Sequence, residues 1–142
     1  MITMKKIIFL TSLLFTTLFL SAQKGSWSIK LNNKIILSTR QEHAIKNVKK
    51  IKTTDWNKSG KLEIIFTEDE NDTWMRSFQF VDEQDNDIHR KDSTLHATIS
   101  LVVLRRLFAG KKQLKIYTTI SPLDPGIAIR IRRVHLCTLQ LP

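Results

Sequence analysis

Lys112-Gln-Leu-Lys-Ile-Tyr-Thr-Thr-Ile120, Ser121-Pro-Leu-Asp-Pro-Gly126 and Ile127-Ala-Ile-Arg-Ile-Arg-Arg-Val-His-Leu-Cys-Thr-Leu-Gln-Leu141 decide the fold. Two apolar, β-branched runs flank a Pro/Gly turn, the pattern of a long antiparallel hairpin. Within Asp124-Pro-Gly126 the proline fixes φ and the glycine takes the positive φ of the next position. Strict alternation on the second arm places Arg130 and Arg132 on one face, continued by Val134 and Leu136. Ile129 and Ile131 share the other face with Arg133. The apolar phase therefore slips near Arg132-Arg133, which predicts a β-bulge there.

Upstream, the same period recurs. Trp27-Ser-Ile-Lys-Leu31 and Lys34-Ile-Ile-Leu-Ser38 alternate around Asn32-Asn33, a hairpin signal because asparagine tolerates positive φ. Residues 40–54 read as an irregular stretch and then a strand, although Ala44, Ile45, Val48 and Ile51 also suit helical spacing. Lys61 to Thr67 and Trp74 to Val81 read as two strands of a second hairpin, the latter with Trp74, Arg76, Phe78 and Phe80 on one side. Ile88 to Lys91 is a short strand, and Leu95, Ala97 and Ile99 alternate toward Ser100. The period then changes. Leu101, Leu104, Leu107 and Phe108 recur at helical spacing, Ser100 can cap the start and Gly110 can end the helix. Arg105, Arg106, Lys111 and Lys112 fall where the helix dipole favours cations. Many short strands and one short helix near residues 101–109 give a mostly β fold, an antiparallel β-sandwich of Ig-like or jelly-roll-like type.

The N-terminus addresses the chain. Lys5-Lys6, an apolar run from Ile7 to Leu20, and Ser21-Ala22 have the layout of a secretory signal peptide over residues 1–22. Residues 23–142 then form a single domain, located in the periplasm or outside the cell, with no transmembrane segment after cleavage. Cys137 is the only cysteine, so the chain cannot close an intramolecular disulfide, and a buried thiol is expected. Charge is segregated. Residues 24–61 carry +8, residues 62–87 carry −8 and residues 88–142 carry +8. Such blocks form either surface patches for charged partners or complementary charge that folding brings together.

Candidate chemistry is sparse. Asp82, Asp85 and Asp87 offer oxygen ligands to calcium, but without the glycine and terminal glutamate of an EF-hand loop. His135 and Cys137 are two apart and would share a strand face, as base and thiol or as two metal ligands. Two ligands do not make a closed metal site, so a core thiol beside a satisfied histidine is the plainer reading. Arg130, Arg132 and Arg133 could hold phosphate, sulfate or carboxylate, or pair with the acidic turns between Glu68 and Asp87. Trp56, in a polar stretch, is the tryptophan expected to be exposed for ligand stacking, while Trp27 and Trp74 suit the core. Hydrolase motifs and Gly-rich phosphate loops are absent.

Leu20-Ser-Ala-Gln23, Trp74-Met-Arg-Ser-Phe78, Ile116-Tyr-Thr118 and Arg133-Val-His-Leu-Cys-Thr138 resemble segments of small exported β proteins of Bacteroidota. The resemblance implies an envelope location and brings no catalytic residues or cofactor. The expected function is a non-catalytic binding or structural module of the bacterial envelope. It would contact a protein, or an anionic glycan or lipid headgroup, through the basic C-terminal hairpin. A small secreted hydrolase using acidic residues or His135 is the alternative. Nucleic acid is not an expected partner, because no aromatic side chains interleave with the charge.

Overall fold

Alternating burial sorts the strands into two layers. The computed structural model of the chain describes residues 25–68, 74–92, 94–124, 126 and 131–142, so the expected signal peptide and Arg130 lie outside the described residues. The strands are β1 (Ser26–Leu31), β2 (Lys34–Thr39), β3 (Val48–Lys50), β4 (Lys61–Thr67), β5 (Trp74–Val81), β6 (Asp87–Lys91), β7 (His96–Ser100), β8 (Gln113–Pro122) and β9 (Val134–Gln140). Two short helices, α1 (Thr53–Trp56) and α2 (Leu101–Leu107), complete the described chain. One sheet has the order β2-β1-β4-β7 and the other β3-β9-β8-β5-β6.

The two sheets pack face to face as a β-sandwich. Trp27, Ile29 and Leu31, Leu62, Ile64 and Phe66, and Ala97 and Ile99 line the first sheet's inner face. Phe78 and Phe80, Leu114 and Ile116, and Leu136, Cys137 and Leu139 line the second. Each fully buried Leu, Ile or Phe contributes about 1.5–3 kcal/mol, so this interior is the main source of stability. Helix α2 closes one end of the sandwich with Leu101, Leu104 and Phe108. Ser100 caps it by accepting from the Val102 N–H, and Gly110 leaves it at φ 76°.

The β1–β2 turn forms as its asparagines dictate, with φ of 52° at Asn32 and 68° at Asn33. Two expectations differ. Strands β4 and β5 do not form a hairpin: β4 pairs with β1 and β7, and β5 with β6 and β8. Their apolar faces meet across the layers, and a tight polar connection can cross between sheets as well as turn within one. Strand β3 is present but pairs in parallel with β9, against the antiparallel rule of the rest, and is followed by the unexpected helical turn α1. The Asp124 carboxylate accepts the Gly126 N–H at 2.9 Å.

Register gives the sandwich two distinct ends. The connection 40–47, Glu68, residues 92, 94 and 95, and residues 121–124, 126 and 131–133 lie at one, here the arginine end. The β1–β2 turn, the 51–60 connection, the 82–86 turn, α2 and residues 110–112 lie at the other, the helix end.

Candidate functional site

The C-terminal hairpin is built by β8 and β9, with a bulge placed differently from the sequence expectation. Ile116 pairs with Cys137 and Tyr117 with His135, so Leu136 is the extra residue and Arg132-Arg133 precede the strand. The shift follows from packing: Leu136 is fully buried, and its carbonyl accepts from the Trp27 indole Nε1 of the opposite sheet at 3.1 Å. An inserted residue leaves the ladder, and this one is held by a cross-layer hydrogen bond.

The bulge also separates the His/Cys pair. Partners of adjacent β8 residues face opposite sides, so Cys137 enters the core with Ile116 and His135 lies with Tyr117 on the outer face. Burial pushes the Cys137 thiol up to about 12, which keeps it protonated and unreactive. His135 lies edge-on to Tyr117 at 5.3 Å, and its Nε2 is 2.8 Å from Thr138 Oγ1. Its Nδ1 is buried without a hydrogen-bond partner. Burial lowers its pKa, Glu42 opposes that, and Lys115 and Arg133 reinforce it.

Both described arginines have carboxylate partners. Arg133 lays its guanidinium 3.9 Å from the Tyr117 ring centroid and donates to both Asp85 oxygens, at 3.1 and 3.2 Å. Arg132 donates to Glu42 Oε2, while Glu42 Oε1 accepts the His135 N–H at 3.1 Å. Pairing with the acidic turns thus holds for Arg133, whereas Arg132 uses an acid from the 40–47 connection. Neither is sequestered: the side chains remain 39% and 69% exposed.

Trp56 is not a surface ligand platform. The α1 turn swings its ring into the core, leaving it 8% exposed, and its carbonyl accepts from Arg105 Nη1 at 2.6 Å. The aspartates do not converge on a cation. Asp82 is fully buried and already accepts from the Gln84 and Asn86 N–H groups, Asn86 Nδ2 and Lys111 Nζ. The Lys111 ammonium, then the Asn86 amide, holds that carboxyl far below its ordinary range. Asp85 serves Arg133, and Asp87 pairs with Val81 at the start of β6. Among the described residues no three His, Cys, Asp or Glu side chains gather as a metal site.

On the outer face of the first sheet, His96 Nε2 is 3.1 Å from Glu63 Oε2 and 3.4 Å from Thr98 Oγ1. Acid and hydroxyl contact the same ring nitrogen, so the imidazole cannot relay a proton between them as a catalytic triad does.

One buried charge also lies at the arginine end. Arg76 stacks 3.7 Å above the Phe66 ring, Phe66 stacks on Trp27, and the guanidinium bonds Thr118 Oγ1 at 3.0 Å and both oxygens of Glu68. A signal was present: Arg76 shares a strand face with Phe78 and Phe80, where a charge must be paired.

Exposed apolar side chains complete this end. Of the large hydrophobic residues exposed among the described ones, Leu95, Ile120, Leu123 and Ile131 lie here, and Ile45 sits on the connection that supplies Glu42. Only Ile35 and Val102 lie elsewhere. Compared with known protein families, characterised proteins and solved structures, the chain matches none.

Proposed function

We propose that the protein is a non-catalytic, exported binding module of the bacterial envelope that docks a protein partner through its arginine end. The observation that carries this reading is that the exposed Leu95, Ile120, Leu123 and Ile131 lie at the same end of the sandwich as the exposed Arg132. Protein interfaces favour apolar contacts with arginine over lysine, because the planar guanidinium stacks and binds carboxylates at low desolvation cost. Glu42 orients Arg132, and an exposed ion pair of this kind contributes only about 0–1 kcal/mol, so a partner's carboxylate can replace it. Arg133 instead reaches over the Tyr117 ring toward Asp85 of the helix-end turn.

The test is affinity capture from an envelope extract with the wild-type chain and an L123D/I131D variant, both checked for folding by circular dichroism. A discrete partner retained by the wild type and lost by the variant supports the reading, and its elution should weaken moderately with salt. Equal capture by both proteins would remove the arginine end from the function. Light scattering distinguishes a second copy of the chain from a different partner.

A further inference from the structure

We infer that the helix end carries a separate site for the oxyanion groups of an acidic polysaccharide. A shallow cleft of about 450 Å³, open to solvent, is lined by Asn32, Asn33, Lys58, Ser59, Gly60 and Lys61. Its size falls in the ~300–1,000 Å³ range of small-ligand clefts, but Asn, Lys, Ser and Gly line it in place of the large apolar and aromatic side chains usual there. Two ammonium groups, two amides and a hydroxyl suit a small hydrophilic anion bearing carboxylate, sulfate or phosphate.

The lysine-bearing loop is held in place before any ligand arrives. Asn32 accepts nothing on Oδ1 but donates through Nδ2 to Asp55 O at 3.1 Å and through its backbone to Lys61 O at 2.9 Å. Arg105 Nη1 grips the carbonyls of Trp56 and Lys58 at 2.6 and 2.9 Å, and Leu101 N–H bonds Gly60 O at 2.9 Å. The hairpin turn, the loop and α2 are therefore one fixed frame, which lowers the ordering cost of binding.

Charge extends beyond the cleft. Lys34 follows Asn33, Lys52 precedes α1, and Arg106 is exposed on α2; none of the three has a carboxylate partner among the described residues. The competing acids are Asp55, 3.4 Å from Lys58 and 40% exposed, and Glu63, 3.2 Å from Lys61 and shared with His96. An excess of cations spread around a polar cleft fits a chain with repeated anionic groups better than one isolated ion. No aromatic ring lines the cleft on which a nucleic-acid base could stack.

The experiment uses the purified chain with heparin and polygalacturonate as polymer probes, dextran as an uncharged control and inorganic phosphate as a free anion. Salt-sensitive binding to at least one acidic polymer, and none to dextran, is expected. Each exposed charge contact is worth ~2–5-fold in affinity, so a K58S/K61S/R106S variant should bind about tenfold or more weakly. An R132S variant should bind as the wild type does. An unchanged affinity for the triple variant, with its melting profile intact, overturns the site. Absence of polymer binding overturns it too, and inorganic phosphate bound as tightly as either polymer reassigns it to free anions. Because the triple variant leaves the arginine end unaltered, each of its outcomes leaves the protein-docking reading to its own test.

Discussion

Replacing Trp27 by phenylalanine isolates the hydrogen bond that joins the two layers. Trp27 is almost fully buried, stacks on Phe66 at 5.8 Å with an 11° interplanar angle, and donates to the Leu136 carbonyl at 3.1 Å. Phenylalanine preserves a ring against Phe66 but supplies no donor. The bulge carbonyl is then buried without its partner, at a cost of about 1–3 kcal/mol. The smaller ring forfeits further packing, roughly one to two methylene equivalents at ~0.8 kcal/mol each. A total loss of about 2–4 kcal/mol is expected. With a urea m-value of ~1–3 kcal/mol/M for a chain of this size, the unfolding midpoint should fall by about 1–2 M. Equilibrium denaturation followed by far-ultraviolet circular dichroism reads this directly and does not depend on the lost tryptophan. A midpoint within about 0.3 M of the wild type would refute the reasoning, because the carbonyl would then be satisfied without the indole.

Gly60→Ala should cost about 1–2 kcal/mol, since a Cβ there would lie 1.5 Å from Asn32 Oδ1 and displace the amide from Asp55; thermal melts report the loss. His135 and His89 both have pKa values lowered chiefly by burial, so their contribution is complete above the ordinary value of 6.5 and is lost as pH falls through the folded values. Glu63, Glu83 and Asp82, also lowered, add a second acid-sensitive phase beginning near 4.5, and midpoints measured across pH 3–8 should show both. Cys137 should resist a thiol reagent at pH 8 in the native protein and react at the rate of unfolding in denaturant; rapid native labelling would contradict its burial.

What the sequence discloses here follows the range of the interaction. Period-two alternation is local, so it gives β1, β2, β4, β5, β7 and β8 almost to the residue, and Ser100 and Gly110 mark α2 because caps are local as well. Pairing between elements is not local. Nothing near Lys61 to Val81 distinguishes a hairpin from a crossover, and the cleft at Asn32 and Gly60 joins segments that only the sheet register brings together. The bulge shows the same limit. An arginine-rich phase slip is visible in the sequence, but Trp27, more than a hundred residues away, selects Leu136 as the inserted residue. The burial of Trp56 is not legible locally, because it follows from a four-residue helical turn in a polar stretch.

Arg76 tests whether the arginine end is built for stability alone. Its side chain is 8% exposed, whereas Glu68 is 26% exposed at the rim. Removing one partner of a buried pair is costly in proportion to how deeply the remaining charge is trapped. Glu68→Ala leaves the guanidinium in the sandwich with the Thr118 hydroxyl and the Phe66 ring, so a loss of about 2–4 kcal/mol is expected. Arg76→Met leaves a carboxylate that can turn toward water, and Thr118 still donates to Ser77 O at 2.8 Å. Methionine fills similar space over Phe66, so the change should cost less than about 1 kcal/mol. Chemical denaturation of the two variants should therefore rank them with Glu68→Ala well below Arg76→Met; the reverse order would show that the guanidinium itself holds the layers together. In the expected order, an apolar residue serves the core about as well as arginine does. The buried charge then has its use at the rim, where it holds Glu68 beside the Leu95 turn and the start of the proposed docking surface.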